Sequence, residues 1–325
     1  MKPTILVTGK TGQLGSELNR LLPKLGDVIA PERNELDLRE PEKIREFMRN
    51  AKPQLVVNAA AYTAVDAAET DEATAFAVNG EAPRLLALGA KKLGALLVHF
   101  STDYVFDGSK KSPYLETDSP NPINSYGRTK LAGEEAIRDS GAAHVIFRTS
   151  WVYATYGKNF LRTILRLATE REELRIVADQ AGAPTCAFDL AEATTNIVAG
   201  IVAAPNSELA FQRLAGTYHM TAAGQTTWYE FAKAILEEAS RAPKDLPWLT
   251  SATNARPIIA RRVLPISTGE FRSPTRRPAY SVLSNAHLLQ QFGGTLPDWR
   301  VQLQRCFSVQ PPRFRGPAVS RPVAT

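Results

Sequence analysis

Short apolar runs and helix-spaced apolar positions alternate along the first 150 residues of the chain. The run at 4–8 is β-branched and apolar, and a glycine-rich turn separates it from a helical pattern carried by Leu14, Leu18, Leu21 and Leu22. Residues 27–30 read as a second strand. Pro41 stands where the first turn of a helix accepts proline, and Ile44, Phe47 and Met48 follow at helical spacing. Leu55-Val56-Val57 builds a third strand over 54–58, and a long helix is predicted over 73–93. A further strand at 95–101, a helix from about 125 and a strand at 143–148 complete the series. Strands alternating with helices predict a parallel sheet covered on both faces, an α/β doubly wound fold of the Rossmann type.

After Ser150 the pattern loosens. Helices are predicted over 159–171, 188–202 and 226–240, and short strands over 174–177 and 217–220, while prolines and arginines crowd 242–278. The expected organisation is a dinucleotide-binding domain at 1–150 and a smaller, loop-rich C-terminal substrate domain at 151–308. A helix at about 186–204 would pack back onto the first domain. The stretch 309–325, rich in Pro, Arg and small residues, is expected to be a disordered tail.

Composition narrows the function classes. Apolar residues make up 44% and charged residues 22% of 325, which is ordinary for a globular protein. There is no run of about 18 apolar residues, so no membrane span is expected. The apolar N-terminus reads as a strand rather than a signal peptide, which points to the cytoplasm. The net charge of +6 is local: Arg256, Arg261, Arg262, Arg272, Arg276 and Arg277 share one segment, and Arg313, Arg315 and Arg321 lie in the tail. No helix-turn-helix or aromatic-interleaved RNA pattern accompanies them, so a small acidic substrate is expected rather than nucleic acid. Cys186 and Cys306 are far apart in sequence with no paired spacing, which argues for two reduced thiols and against a zinc site or disulfide framework.

Directly after the first strand stands Gly9-Lys10-Thr11-Gly12-Gln13-Leu14-Gly15. Glycines at this spacing permit a tight turn and let a diphosphate approach the backbone, and the helix that follows offers free N–H groups and a positive dipole end. A Walker loop is excluded, because no Gly-Lys-Ser/Thr ending is present. At the end of the second strand Glu32 would accept hydrogen bonds from a 2′-hydroxyl, as in NADH, and Arg33 would pair with the 2′-phosphate of NADPH. Asp37 and Leu38 either meet the adenine or, in the case of Asp37, cap a turn. Ala59, Ala60 and Ala61 are small enough for backbone to lie against a cofactor.

Tyr126 and Lys130 are four apart on a predicted helix and so share a face. An ammonium beside a phenol favours the phenolate and lowers its pKa, suiting the tyrosine to exchange a proton with a carbinol or carbonyl oxygen. Thr102, at the end of the fourth strand in the sheet series, would hold that oxygen.

Several runs together carry a specific resemblance. They are Gly9 to Gly15 above, Val57-Asn58-Ala59-Ala60-Ala61-Tyr62-Thr63-Ala64-Val65-Asp66, and Ser101-Thr102-Asp103-Tyr104-Val105-Phe106-Asp107-Gly108. Further on come Pro120-Asn121-Pro122-Ile123-Asn124-Ser125-Tyr126-Gly127 with Lys130-Leu131-Ala132-Gly133-Glu134, Arg148-Thr149-Ser150-Trp151-Val152-Tyr153, Asp179-Gln180-Ala181-Gly182-Ala183-Pro184-Thr185, and Arg276-Arg277-Pro278. On these the chain resembles the extended short-chain dehydrogenase/reductase superfamily and, within it, the dTDP-4-dehydrorhamnose reductases. Only the tail after Phe307 falls outside the pattern.

The resemblance implies hydride transfer from NADPH, with NADH as an alternative donor, to the 4-keto carbon of a dTDP-sugar. It assigns Tyr126 as proton donor, Lys130 to the nicotinamide ribose and to the Tyr126 pKa, and Thr102 to the reacting oxygen. Thr102, Asp103 and Trp151 would touch the sugar nucleotide. Arg276 and Arg277 would face its diphosphate, and the loop at 112–122 would cover the sugar. Some relatives dimerise through Mg2+ held by glutamates. Glu17 stands at one such position, but no counterparts are evident near 186–189 or in the C-terminal helix, so no metal is expected and the assembly is monomer or homodimer. A 4,6-dehydratase would carry Asp-Glu where this chain has Asp103-Tyr104. An epimerase of the same fold remains open, and so does a non-catalytic NADP-binding regulatory subunit, against which the retained Tyr126, Lys130 and Thr102 argue.

Overall fold

The computed structural model describes residues 2–203, 214–243 and 245–308. Strands β1 (Thr4–Thr8), β2 (Asp27–Ile29), β3 (Leu55–Asn58), β4 (Leu96–Thr102) and β5 (His144–Thr149) come from the first half. After the short strands β6 (Val152–Tyr153), β7 (Glu173–Val177), β8 (Ala181–Gly182) and β9 (Thr185–Cys186), β10 (Gly216–His219) joins them. The six strands form one sheet in the order β10-β5-β4-β3-β1-β2, with every pairing parallel. The reversal of strand order beside β1 is where such a sheet opens a crevice at its carboxyl edge.

Period-two alternation decides which side chain faces which layer. Ile5, Val7, Val57, Val98 and Phe147 point to one face, where α1 (Gln13–Leu21) packs beside α7 (Ala187–Val202). Leu6, Val56, Leu97 and Ile146 point to the other, against α2 (Pro41–Ala51), α4 (Ala82–Leu93) and α5 (Ser125–Ser140). Both faces are covered, which explains why these strands read as continuous apolar runs. The sheet thus draws β10, and its covering helix α7, from the second half of the chain.

A separate core gathers Tyr153, Leu161, Ile164 and Leu165 on and beside α6 (Phe160–Ala168) with Phe231, Ile235, Trp299 and Leu303. The last four lie on the helices Trp228–Arg241 and Trp299–Cys306.

Two expectations need correction. The long helix over 73–93 is broken into α3 (Glu72–Phe76), a π-helical turn at Ala77–Glu81 and α4. Pro83 lacks an N–H for the helical ladder, and Asn79 is turned inward to hold both backbone groups of Tyr62 and the Thr129 hydroxyl. The loop at 112–122 is no lid: Tyr114 is buried, stacked on Phe106 at 4.2 Å and bonded to the backbone of Val282 and Ser284, while Glu116 accepts from His219 N. Cys186 and Cys306 are free thiols, as expected, though the fold brings their sulfurs to 3.8 Å. The tail at 309–325 lies outside the described residues. Among those described, no helix is long and apolar enough to cross a membrane.

Candidate active site

At the carboxyl edge of the sheet lies a cavity of about 720 Å³. Its floor begins where β1 ends. Gly9 has φ +75°, and a Cβ there would lie 2.7 Å from Ala60 N; a Cβ on Gly15 would lie 2.0 Å from Gly9 O. Only glycine lets β1, the alanine loop after β3 and the start of α1 close on one another this tightly. Gly9, Gly12, Gln13 and Leu14 line the cavity, whereas Gly15 lies behind them as packing. Ala59, Ala60 and Ala61 line it from the next loop.

Glu32, Arg33, Asp37 and Leu38 form one end of the cavity. Lys10 reaches Glu32 at 3.1 Å. Asp37 lines the cavity and holds a turn, since its carboxylate accepts from the backbone and guanidinium of Arg39. The side-chain bonds from Arg39 outweigh burial and draw the Asp37 carboxyl down to about 2. Arg33 stands 3.8 Å from Asp37 and is largely exposed.

The other end is built from β4 and α5. Thr102 ends β4; its hydroxyl accepts from Tyr104 N at 3.1 Å and donates to Asp103 Oδ1 at 3.0 Å. Asn124 caps α5 by accepting from Gly127 N at 2.8 Å, which places Tyr126 in the first turn. A Cβ on Gly127 would lie 2.2 Å from Tyr104 O, so the Tyr-Gly pair is what lets α5 close on the segment after β4. The rings of Tyr104 and Tyr126 meet edge to face at 5.6 Å. Thr102, Asp103, Tyr126 and Lys130 all line the cavity.

The electrostatics differ from the sequence expectation at one point. Lys130 is 1% exposed, and its Nζ donates to Phe100 O at 2.7 Å and meets His99 Nε2 at 3.1 Å. Burial pushes this lysine down to about 8, with Glu134 opposing. Tyr126 is partly buried, and burial raises its phenol well above the usual tyrosine range; the Thr102 hydroxyl pulls the other way, and Asp103 and Tyr104 add to the rise. In the ligand-free protein Tyr126 is therefore a firmly protonated phenol. Burial also lifts Asp103 to about 7, against its bond from Thr102.

The wall between the two ends comes from the second half of the chain. Trp151 has φ +47°, a strained backbone for a bulky residue, and its indole is held between Gly182 and Trp228, stacked on the latter at 3.5 Å. Arg277 lines the cavity, donating to Tyr104 OH at 3.2 Å and to Asp66 Oδ1 at 2.8 Å. Arg276 is exposed and does not line it; among the described residues only its carbonyl is engaged, by Asn124 Nδ2. Sequence reasoning missed Lys10, Tyr62, Lys158, Asn159 and Trp228, which line the cavity too. Asn159 had a legible signal as the cap of α6. Trp228 had none, since only the tertiary stack brings it here. Glu17, raised as a metal ligand, is engaged by Arg20 and by Tyr156 OH.

Comparison with known proteins agrees with this geometry. The family model described as RmlD substrate binding domain matches residues 1–310. A dTDP-4-dehydrorhamnose reductase of Burkholderia thailandensis is 51% identical over 302 residues, covering 93% of this chain and 97% of that protein. The chain belongs to the dTDP-4-dehydrorhamnose reductase family. The family member of Escherichia coli K12 is 43% identical over 305 residues, covering 93% of this chain and 96% of that one. Among solved structures, the family's enzyme from Bacillus anthracis, in complex with NADP, superposes with a TM-score of 0.81 at 35% identity, covering 94% of this chain and 99% of that one.

Proposed function

We propose that this chain reduces the 4-keto group of dTDP-4-dehydro-L-rhamnose to give dTDP-L-rhamnose, using NADPH and, less well, NADH. The observation that carries the reading is the sharing of one cavity by a glycine-lined dinucleotide loop and the Thr102, Tyr126 and Lys130 side chains. The residues fit the cofactor. Gly9 and Gly12 line the loop with no side chain, and Lys10 and Arg33 supply cations at the far end. When bound, the cofactor supplies the hydride. Gly9, Gly12, Gln13 and Leu14 would hold its diphosphate, Glu32, Arg33, Asp37 and Leu38 its adenosine end, and Ala59 to Ala61 its middle.

The protein's own contribution is the proton and the positioning. Tyr126, kept as a phenol by burial, gives its proton to the sugar oxygen as the keto carbon becomes a carbinol. The Thr102 hydroxyl holds that oxygen, and Lys130 holds the cofactor ribose. Asp103, Trp151 and Arg277 contact the sugar nucleotide, with Arg277 already pre-set by Asp66 and Tyr104. Arg276, pointing to solvent, is withdrawn from this role. The partner is a small dTDP-sugar, and the active unit is a monomer or homodimer.

A coupled assay tests the reading. dTDP-glucose is supplied with the upstream 4,6-dehydratase and epimerase, and loss of the reduced nicotinamide band is followed. Oxidation of NADPH that requires all three proteins is expected. An absence of oxidation with confirmed keto-sugar present would refute it.

A further inference from the structure

Beneath the cavity floor, Lys130 ends a row of buried polar side chains whose other members, Thr8, Asn58 and His99, the chemistry above does not use. The Thr8 hydroxyl donates to Asn58 Oδ1 at 2.6 Å. Asn58 Nδ2 meets His99 Nδ1 at 3.0 Å, and His99 Nε2 meets Lys130 Nζ at 3.1 Å. Thr8, Asn58 and His99 end or occupy adjacent strands β1, β3 and β4, and register pairs them as neighbours: Thr8 with Asn58, Asn58 with His99. None of the four side chains exceeds 2% exposure. Thr8 Oγ1 also faces Ala60 N at 3.4 Å, in the loop that lines the cavity.

Donor and acceptor arithmetic gives this row two arrangements. An amide NH2 only donates, so with Nδ2 toward the ring, His99 Nδ1 accepts and the ring proton sits on Nε2. That Nε2–H donates toward Nζ, which must then be an amine with a free lone pair, its own hydrogens serving Phe100 O at 2.7 Å. If the Asn58 amide turns over, its oxygen accepts from Nδ1–H and Nε2 becomes the acceptor, the one arrangement open to an ammonium at Nζ. Asn58 Nδ2 then donates to Thr8 Oγ1. An ammonium has no lone pair to receive Nε2–H, so it fits only the second arrangement, and the first requires the amine; a mismatched pair leaves a buried group unsatisfied, which is costly.

We propose that Thr8, Asn58 and His99 are positioning residues for Lys130, deciding through the Asn58 amide and the His99 tautomer whether Nζ serves the cavity as amine or as ammonium. The inference rests on Lys130 being a working residue of the reductase. Other ionisable groups near the row are Glu134, one turn along α5 and tied to Arg148 and Arg138, and Tyr126, one turn back, which Asp103 and Tyr104 face. Of these, Glu134 favours the ammonium and burial opposes it, so that the two states balance close to working pH. Burial and Lys130 keep His99 itself neutral, so the imidazole changes tautomer rather than charge.

The first arm of the test uses the whole chain without substrate, so its outcome is independent of whether the keto-sugar is turned over. Imidazole 15N shifts of His99 and the 13Cε shift of Lys130 are followed with pH in labelled protein. The expected result is that the proton of His99 moves from Nδ1 to Nε2 as Lys130 loses its charge, in one shared transition. A single tautomer throughout that transition would overturn the proposal. Asn58→Asp supplies a second arm, since a carboxylate only accepts and locks Nδ1–H. The Lys130 transition, and with it the alkaline limb of kcat/KM, should rise by about one pH unit or more. A folded Asn58→Asp protein with both unmoved would also overturn it.

Discussion

Replacing Tyr126 by Phe removes one oxygen and little else. The ring keeps its edge contact with Tyr104, α5 keeps its Asn124 cap and Gly127 keeps its seat, so fold stability should hardly change. Thr102 retains Asp103 as hydrogen-bond partner. Lys130 is bonded to Phe100 O and His99 rather than to the phenol, so its grip on the cofactor should survive. The loss is therefore confined to proton delivery. General acid catalysis is worth about 10²–10⁴-fold, which is about 3–5 kcal/mol of barrier. Single-turnover NADPH oxidation with keto-sugar should slow by that factor while NADPH affinity, read by fluorescence titration, stays put. A variant within about tenfold of wild type in the single turnover would refute the assignment of Tyr126 as the acid.

The same framework fixes other outcomes. Arg33→Ala should raise KM for NADPH about tenfold and leave KM for NADH nearly unchanged; an equal rise in both would remove Arg33 as reader of the 2′-phosphate. Asp103, lifted to about 7 by burial, should give kcat/KM a limb in the neutral range that Asp103→Asn abolishes. The raised carboxyl also means that stability present at acid pH is lost as pH rises through about 7, so Asp103→Asn should melt higher than wild type in alkaline buffer and not in acid; identical melting across the range would contradict it. Glu134 accepts two bonds from Arg148, whose side chain is 3% exposed, so Glu134→Ala strands a buried cation. A loss of about 3–5 kcal/mol in urea unfolding is expected, and one below about 1 kcal/mol would show that water reaches Arg148.

Much of this was legible in the sequence because it is local. The strands betrayed themselves as apolar runs, the glycine loop by its place between strand and helix, and Tyr126 with Lys130 by helical spacing. What escaped was set by contacts between distant segments. Trp228 enters the cavity only through its stack on Trp151. Arg276 and Arg277 are adjacent in sequence, yet only Arg277 turns inward, because Asp66 and Tyr104 hold it. The loop at 112–122 is expected from the sequence to cover the sugar, but the burial of Tyr114 decides which way that loop folds. The rise of the Tyr126 pKa reverses a fall argued from spacing alone, because spacing shows the lysine and not the burial.

The central claim is that hydride passes in this cavity to the keto carbon of a dTDP-sugar, and an isotope label tests it most directly. The purified protein is given dTDP-4-dehydro-L-rhamnose and NADPH carrying deuterium at the transferable position of the nicotinamide, each face in turn. The nucleotide sugar is then isolated and read by NMR. The account predicts dTDP-L-rhamnose with one deuterium at carbon 4, from one face only, and none when Tyr126→Phe replaces the wild type for the same short time. Sugar recovered unlabelled, or labelled at another carbon, would contradict it.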